Sequence, residues 1–232
     1  MPTHYHQGIY FIAFGKNYVE EATHCAQSIK KISSLPIAIA CDSIADSSQF
    51  DIVYRIQPKH IRTKVDYLEN TPFEHTLYLD SDTEVCEDLT ENFRLLEKYD
   101  VCMTHDFARK RDRWSSRIPE YNAIPDGFSE FGGGVIFYKK NAKAFLHLWK
   151  HFFYKYALIT NGWDQASLRI ASWYCDNSIY VLPPEFNVRG QHVRDKVRNL
   201  HLTEGGKQPI RHRILHWHGL NDPNKSCEAY SF

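Results

Sequence analysis

A short apolar run that breaks off into two carboxylates constrains this chain more than any other stretch. Leu77, Tyr78 and Leu79 are followed at once by Asp80 and, one residue later, by Asp82. A continuous apolar run is typical of a strand buried on both faces, and the carboxyl ends of such strands open into the crevice where α/β sheets bind ligands. Two carboxylates this close repel each other, and a divalent cation between them relieves the repulsion. The run therefore predicts a strand with a metal site at its carboxyl end.

A second interpretation of the same stretch stays open at this point. Ser81 and Glu84 have the spacing of a helix capping box, in which the two side chains bond to main-chain amides where a helix begins. Aspartate is also common wherever a strand runs into a turn. On this interpretation the carboxylates would only shape the chain.

The residues before this run predict a parallel sheet. Apolar runs occupy residues 8–14 (GIYFIAF), 37–41 (IAIAC) and 52–56. Between the first two, apolar residues recur every three or four positions from Val19 to Ile32, which is the pattern of one helix face. Strand, helix and strand at this spacing form a βαβ unit. For 232 residues we expect one α/β domain, Rossmann-like, with a central mostly parallel sheet flanked by helices.

The composition narrows the class of partner. Lys plus Arg and Asp plus Glu number 28 each, so no overall charge favours nucleic acid or an anionic membrane. Aromatic residues make up 14% of the chain and suit flat or ring-shaped ligands. Six cysteines are scattered without a Cys-x-x-Cys pair, and we predict that they are reduced and structural. With no leader pattern and no apolar run long enough to span a bilayer, the chain is predicted to be soluble and cytoplasmic.

The second half of the chain adds a loop, a strand and two helices. Residues 107–129 are polar, basic and interrupted by proline and glycine, which predicts an irregular lid or acceptor loop. Residues 131–138 (FGGGVIFY) predict a glycine turn that leads into a strand, and the apolar spacing from Phe145 to Tyr156 predicts a core helix. A further helix opens at Asp164, for which the plainest role is an N-cap.

Six motifs now stand in order along the chain. They are Ala13-Phe14-Gly15 with Tyr18, Tyr78 to Thr83, Gly132 to Val135, Asp164-Gln165, Leu182-Pro183 with Asn187, and His216-x-x-Gly219. Together they resemble the GT-A fold glycosyltransferases, most of all glycosyltransferase family 8 and related nucleotide-diphospho-sugar transferases, over residues 8 to about 225. The resemblance implies transfer of a hexosyl or hexosaminyl group from a nucleotide-diphosphate donor, with a UDP-sugar favoured. The acceptor would be a hydroxyl of a glycan or another molecule, and the anomeric configuration would be retained.

The resemblance also implies a metal centre. Asp80 and Asp82 match the family's Asp-x-Asp motif, whose oxygens bind Mn²⁺ or Mg²⁺ on the donor diphosphate. His216 matches the family's remote histidine, and an imidazole ligand favours Mn²⁺ over Mg²⁺. Such a cation neutralises the charge that grows on the diphosphate as the sugar departs.

Further roles carry over position by position. Tyr18 would stack on the base, Asp42 would bond the base or the ribose, and Arg62 or Lys64 would supply the basic group near the donor. Asp106 would hold sugar hydroxyls, and Asp164 and Gln165 would line the reacting face of the sugar as the catalytic pair. The remaining positions expected at the donor are Phe14, Gly15, Ser81, Gly133, Gly134, Gly219 and Lys225.

The chain also departs from the family pattern. Gly132 stands where many members have an asparagine that contacts the sugar. Asp222-Pro223-Asn224-Lys225 replaces the usual Lys-Pro-Trp, so Lys225 takes the phosphate-binding role only if the loop shifts. The aspartate that reads the base in many members is replaced near Phe14 and Gly15.

Three other classes of protein fit parts of the pattern. Residues 79–83 (LDSDT) also resemble the loop of haloacid dehalogenase-like phosphatases, where the first aspartate is a nucleophile. A nucleotidyltransferase would use the same carboxylates, but it needs a glycine-rich basic loop after the first strand. A non-catalytic sugar- or nucleotide-binding protein on the same fold would keep the core and bind no metal.

Overall fold

The computed structural model describes residues 5–42, 48–106, 114, 116–189 and 212–217. The strands are β1 (Gln7–Ala13), β2 (Ile37–Cys41), β3 (Ile52–Arg55), β4 (His75–Leu79), β5 (Thr83–Val85), β6 (Val101–His105), β7 (Phe131–Lys139), β8 (Ile179–Leu182), β9 (Val188–Arg189) and β10 (Ile214–His216). The α-helices are α1 (Lys16–Lys30), α2 (Lys64–Tyr67), α3 (Pro119–Ala123), α4 (Lys143–Tyr156) and α5 (Gln165–Tyr174). Short 3₁₀ helices cover Leu68–Asn70, Thr90–Glu97 and Pro184–Phe186.

The main sheet has seven strands in the order β3-β2-β1-β4-β7-β6-β8. All neighbouring pairs are parallel except those of β7, which runs antiparallel to both β4 and β6. The prediction of a central, mostly parallel sheet flanked by helices is therefore confirmed.

The order of the strands places a crevice at one edge of this sheet. The chain leaves β1 to form β2 on one side, whereas β4 pairs with the other side of β1. The carboxyl ends of β1 and β4 thus lie side by side where the strand order reverses, which is where open α/β sheets bind ligands. The residues that follow these two strands, from Phe14 and from Asp80, meet at this edge.

A second sheet of three strands, β5-β10-β9, stands beside this crevice. β10 pairs antiparallel with β5 and parallel with β9, so that His216 lies opposite Thr83 on one side and Arg189 on the other. Because Thr83 begins a strand and not a helix, the capping-box interpretation of Ser81 and Glu84 is wrong.

The core lies on both faces of the main sheet. One apolar cluster joins β1, β2 and β4 to α1, and a second joins the other face to α4 and α5. Phe145 and Trp149 of α4 are fully buried in the second cluster, as predicted. Among the described cysteines Cys25, Cys41 and Cys102 are buried, while Cys86 and Cys175 are half-buried. Cys227 lies outside the described residues.

The predicted loop 107–129 is partly outside the described residues, at 107–113 and 115. Its described remainder is packed and not loose: α3 lies there, and Trp114, Ile118 and Tyr121 are buried against α4 and α5. The fully buried guanidinium of Arg169 donates hydrogen bonds of 2.7–3.2 Å to main-chain carbonyls of this segment. Its role as a lid or acceptor loop stays a prediction. Within the described ranges, no helix is both long and apolar enough to cross a bilayer.

Candidate functional site

The crevice at the sheet edge is a cavity of about 410 Å³. It is lined by Ile12, Ala13, Phe14, Tyr18, Ile61, Arg62, Thr63, Lys64, Tyr78, Asp80, Ser81, Asp82, Trp163, Arg189 and His216. Two carboxylates, three cationic side chains and several rings thus face one space, which is the composition expected of a site for a charged ligand with a flat part.

Asp80, Asp82 and His216 converge at the floor of the cavity. Each offers a ligand atom, and these atoms all lie within 4.8 Å of one another. The imidazole Nε2 of His216 is 3.1 Å from Asp82 Oδ1 and 3.8 Å from Asp80 Oδ2. The three predicted metal ligands therefore meet in space, because β10 pairs with β5 directly after the two aspartates.

A hydrogen bond behind His216 sets the state of its ring. Nδ1 lies 3.0 Å from Oδ1 of Asn187, and an amide oxygen only accepts, so Nδ1 carries the proton and donates it. The amide nitrogen of Asn187 in turn donates to Thr104 Oγ1 at 3.3 Å. With Nδ1 donating to Asn187, Nε2 is the nitrogen left to coordinate a cation beside the carboxylates, and an outer partner of this kind is typical of a metal-bound histidine.

Gly134 makes this convergence sterically possible. A Cβ on Gly134 would stand 2.5 Å from His216 Cε1 and 2.7 Å from Asp80 Oδ2. Gly132 is as tightly placed, since its Cβ would stand 2.7 Å from the amide nitrogen of Asn187. The glycines predicted to form a turn therefore lie within β7, and at Gly132 and Gly134 the space of a side chain is taken by Asn187, His216 and Asp80.

Asp80 is the most tightly held of the three candidate ligands. The hydroxyl of Tyr78 donates to Asp80 Oδ1 at 2.6 Å, and the ammonium of Lys64 donates to the same oxygen at 3.1 Å. Burial alone would raise the pKa of Asp80, but the Lys64 ammonium and His216 outweigh it and hold that pKa below its usual value. Asp80 is therefore an anion in the absence of any added cation.

Lys64 connects the candidate metal ligands to Asp164. Its ammonium also donates to the carbonyl of Gly133 at 2.8 Å and stands 3.5 Å from Asp164 Oδ2. Arg62 approaches the other oxygen of Asp164, Oδ1, with Nε at 3.5 Å. The Lys64 ammonium thus lies between the carboxylates of Asp80 and Asp164, and Arg62 contacts Asp164 at its other oxygen.

Asp164 does not cap helix α5 with its side chain. Asp164 precedes α5, yet its side chain makes no capping hydrogen bond to the amides of the first turn, all of which lie in the described part of the chain. Its carboxylate is buried and points to Arg62 and Lys64. The side-chain amide of Gln165 instead donates to the carbonyl of Phe131 at 2.7 Å, and Gln165 does not line the cavity.

The connection between β1 and α1 forms the aromatic end of the cavity. Phe14 and Tyr18 have ring centroids 5.8 Å apart, and Tyr18 is half exposed. Gly15 has a φ of +75°, a left-handed value that glycine adopts without strain, and its amide donates to Asp42 Oδ1 at 2.8 Å. Asp42 is therefore beside this end but holds the backbone there. Ser81 lines the cavity and donates to Glu21 at 3.4 Å.

One of the expected donor residues lies away from the cavity, and two others are not described by the structure. Asp106 follows β6, where its amide donates to the carbonyl of Glu130, and it does not line the cavity. Gly219 and Lys225 lie outside the described residues.

Sequence reasoning missed three residues of the cavity. Tyr78 reads as an ordinary core residue, although burial and the Asp80 carboxylate raise its pKa so that its hydroxyl remains a donor. Arg189 is brought in by the pairing of β9 with β10, which no local pattern reveals. Trp163 could have been suspected from its position directly before Asp164.

The donor set itself fits a divalent metal. Two carboxylate oxygens and one imidazole nitrogen are ligands that Mn²⁺ accepts, and the imidazole makes Mg²⁺ the weaker match. Two further observations agree with that fit. His216 Nδ1 donates to the amide oxygen of Asn187, and Gly134 leaves the space that the side chains of His216 and Asp80 occupy.

The fold places this chain among the GT-A glycosyltransferase structures. No protein-family model and no curated protein sequence matches the chain. Among solved structures, an active-site mutant of LgtC is 13% identical with a TM-score of 0.66, and the match covers 96% of this chain and 93% of that one. GlyE from Streptococcus pneumoniae is 15% identical with a TM-score of 0.62, over 97% of this chain and 60% of that one. Mouse xyloside xylosyltransferase 1 is 11% identical with a TM-score of 0.58, over 91% of this chain and 97% of that one. The chain therefore has the GT-A fold, and its activity must be argued from its site.

Proposed function

We propose that this protein is a metal-dependent glycosyltransferase that moves a sugar from a nucleotide-diphosphate donor to an acceptor hydroxyl. One observation carries the proposal: Asp80, Asp82 and His216 converge in a cavity that Lys64 also lines, and the Lys64 ammonium contacts both Asp80 and Asp164. The three candidate metal ligands would serve the diphosphate, and Lys64 with Asp164 would serve the reacting sugar. A LgtC structure described as a complex with donor and acceptor sugar analogues supports such ligands for a chain of this fold.

Asp80, Asp82 and His216 would hold Mn²⁺, or Mg²⁺ less well. The bound cation would neutralise negative charge on the diphosphate as the sugar leaves. The chain adds Arg189, which lines the same cavity and lies beside His216 in the small sheet. A guanidinium there suits a phosphate group, and it would take the role that the family's absent Lys-Pro-Trp lysine has elsewhere.

Asp164 and Lys64 would act on the sugar itself. In the transfer, the bond from the anomeric carbon to the diphosphate oxygen breaks and its electron pair leaves with the diphosphate. A bond to the acceptor oxygen forms, and the acceptor proton passes to the departing diphosphate or to water. The Asp164 carboxylate, held by Arg62 and Lys64, is placed to stabilise positive charge on the sugar ring. Gln165 positions α5 against β7 and would join the reaction only if its bond to Phe131 opened.

The nucleotide would occupy the aromatic end. Tyr18 is exposed enough to stack on a base, with Phe14 behind it and Gly15 and Asp42 fixing the turn. A UDP-sugar donor, a hexosyl or hexosaminyl group and retention of configuration are proposed from the family resemblance. The phosphatase alternative does not fit the GT-A fold.

Calorimetry with UDP tests this proposal directly. We expect binding in the presence of Mn²⁺ that is lost in excess EDTA, and a UDP-sugar at about 100 times its dissociation constant should stabilise the protein by about 2.7 kcal/mol. GDP is the matched nucleotide control. UDP binding that is undiminished in EDTA would contradict the metal assignment, whereas binding without any transfer to a panel of acceptors would favour the non-catalytic alternative.

A further inference from the structure

Ile61, Arg62 and Trp163 form an exposed rim on the cavity, which we call the Trp163 rim. Ile61 is 67% exposed and Trp163 is 49% exposed, although both are large and apolar. Of the five tryptophans, Trp114, Trp149 and Trp217 are buried, whereas Trp163 and Trp173 are exposed. An exposed ring at the mouth of a cavity is a feature of sites that bind ring-shaped ligands.

The chain holds the indole of Trp163 in place. Its main-chain amide donates to the carbonyl of Thr160 at 3.1 Å, and the carbonyl of the next residue, Asp164, accepts from Trp149 Nε1 at 3.3 Å. The guanidinium of Arg62 stands 4.9 Å from the centre of the indole, at cation–π distance. A ring fixed by its backbone and by a cation is a preformed surface, so little conformational freedom is lost when a ligand packs on it.

A chain of contacts runs from the candidate metal ligands to this rim. Asp80 lies between His216 and Lys64, Lys64 and Arg62 contact the two carboxylate oxygens of Asp164, and Arg62 stands over the Trp163 ring. The side chains of His216, Asp82 and Asp80 are 3%, 18% and 24% exposed, whereas Trp163 is 49% exposed. A ligand held by the three candidate metal ligands therefore lies deeper than a ligand that packs on Trp163.

We propose that the Trp163 rim is the acceptor subsite and that it takes a pyranose ring of a glycan. This inference rests on the proposed function. The flat apolar face of the indole matches the C–H face of a pyranose, while Arg62 offers donors to its hydroxyl oxygens. The base has its own aromatic surface at Phe14 and Tyr18, on a different element. The acceptor is the component that meets the exposed rim, and Asp164 follows Trp163 in the chain and pairs with Arg62 at 3.5 Å.

Three variants test this assignment. Trp163→Ala removes the ring and Trp163→Phe keeps a smaller one. Trp173→Ala is the matched control, because Trp173 is 41% exposed, packs on Phe128 with ring centroids 5.0 Å apart, and does not line the cavity. The melting temperature of each variant checks folding.

Three quantities are measured for each variant. Tryptophan fluorescence is titrated with methyl β-galactoside, methyl β-glucoside and methyl α-mannoside, both alone and with UDP and Mn²⁺ present. The KM for an acceptor glycoside and the dissociation constant of UDP are then compared. We expect Trp163→Ala to raise the acceptor KM about tenfold more than it changes UDP affinity, Trp163→Phe to fall between it and the wild type, and Trp173→Ala to do neither.

The outcomes separate this inference from the proposed function. Parallel losses of UDP affinity and acceptor KM in Trp163→Ala would place the ring at the donor and overturn the inference, as would equal effects in Trp163→Ala and Trp173→Ala. A fluorescence change with a glycoside that disappears in Trp163→Phe supports the subsite even if no nucleotide binds, in which case the proposed function fails alone. If the wild type binds UDP with Mn²⁺ but no glycoside changes its fluorescence or is glycosylated, the inference fails alone.

Discussion

The ammonium of Lys64 lies 3.1 Å from a carboxylate oxygen of Asp80, and only 8% of the Lys64 side chain is exposed. The Lys64 ammonium therefore lies beside a candidate metal ligand in the metal-free protein. The Lys64 ammonium also lies 3.5 Å from a carboxylate oxygen of Asp164. A change at Asp80 or Lys64 therefore alters the electrostatic environment of Asp164, the carboxylate proposed to face the sugar.

Lys64→Met should destabilise the metal-free protein by about 3 kcal/mol, because it leaves buried carboxylates without their cation. Saturating Mn²⁺ should restore part of that loss, since a cation at Asp80 replaces the missing charge. Urea unfolding with and without Mn²⁺ measures both effects. Lys139→Met is the control, because Lys139 also pairs with an aspartate, Asp100, at 3.1 Å, but away from the cavity. Equal recovery by Mn²⁺ in the two variants would contradict a metal at Asp80.

Asn187→Ala should weaken Mn²⁺-dependent UDP binding by about 10- to 100-fold, the usual cost of losing an outer partner of a metal-bound histidine. The reason is that His216 Nδ1 loses the acceptor that directs Nε2 toward Asp82. Calorimetry at fixed UDP and varied Mn²⁺ measures it. Asn187→Asp retains an acceptor oxygen and should recover most of the affinity; if it binds no better than Asn187→Ala, the tautomer argument is wrong.

Asp164→Asn should lower the transfer rate while sparing UDP affinity, because Asp164 is proposed to act on the sugar and not on the diphosphate. Asn caps helices about as well as Asp, and the Asp164 side chain makes no cap in any case, so the melting temperature should change little. Asp82→Asn is the contrasting variant and should lower both rate and affinity. Gln165→Ala should have the smaller effect on rate while its amide bonds Phe131. Near wild-type turnover in both Asp164→Asn and Gln165→Ala would sink the catalytic assignment.

Arg189→Ala should weaken UDP binding about tenfold, which is 1.4 kcal/mol and within the range of a charged hydrogen bond to phosphate. Uridine lacks the diphosphate, so its affinity should be unaffected. Arg213→Ala is the matched control, since Arg213 pairs with Glu87 at 2.9 Å and does not line the cavity. An Arg189→Ala protein that binds UDP as tightly as Arg213→Ala does would remove Arg189 from the phosphate site.

Asp66 should make the stability of the protein depend on pH in the acid range. Burial alone would raise the pKa of Asp66, but the Tyr154 hydroxyl at 2.9 Å and the Lys150 ammonium at 3.2 Å outweigh it and lower that pKa. A lowered pKa stabilises the fold above the unfolded value of about 3.9, and this contribution is lost as the pH falls through the folded value. Urea unfolding from pH 7 down to pH 3 should show a shallower decline for Asp66→Asn than for the wild type. Identical slopes would count against this linkage.

Much of the fold follows from local patterns. The apolar runs at 8–14 and 37–41 are the strands Gln7–Ala13 and Ile37–Cys41, and the spacing from Phe145 to Tyr156 is the buried face of α4. These predictions succeed because burial on one or both faces imposes a pattern of apolar residues on the chain itself.

Part of the candidate site also follows from local patterns, and the tertiary structure supplies the rest. The sequence by itself determined that Asp80 and Asp82 end a buried strand, because a continuous apolar run followed by carboxylates can only emerge at a sheet edge. Only the tertiary structure brought His216 and Arg189 to those carboxylates, through the pairing of β5, β10 and β9. It also turned the side chain of Asp164 away from its own helix to Arg62 and Lys64. Strand periodicity is encoded locally, whereas strand pairing and buried ion pairs depend on the free energy of bringing distant segments together, which no stretch of the chain carries alone.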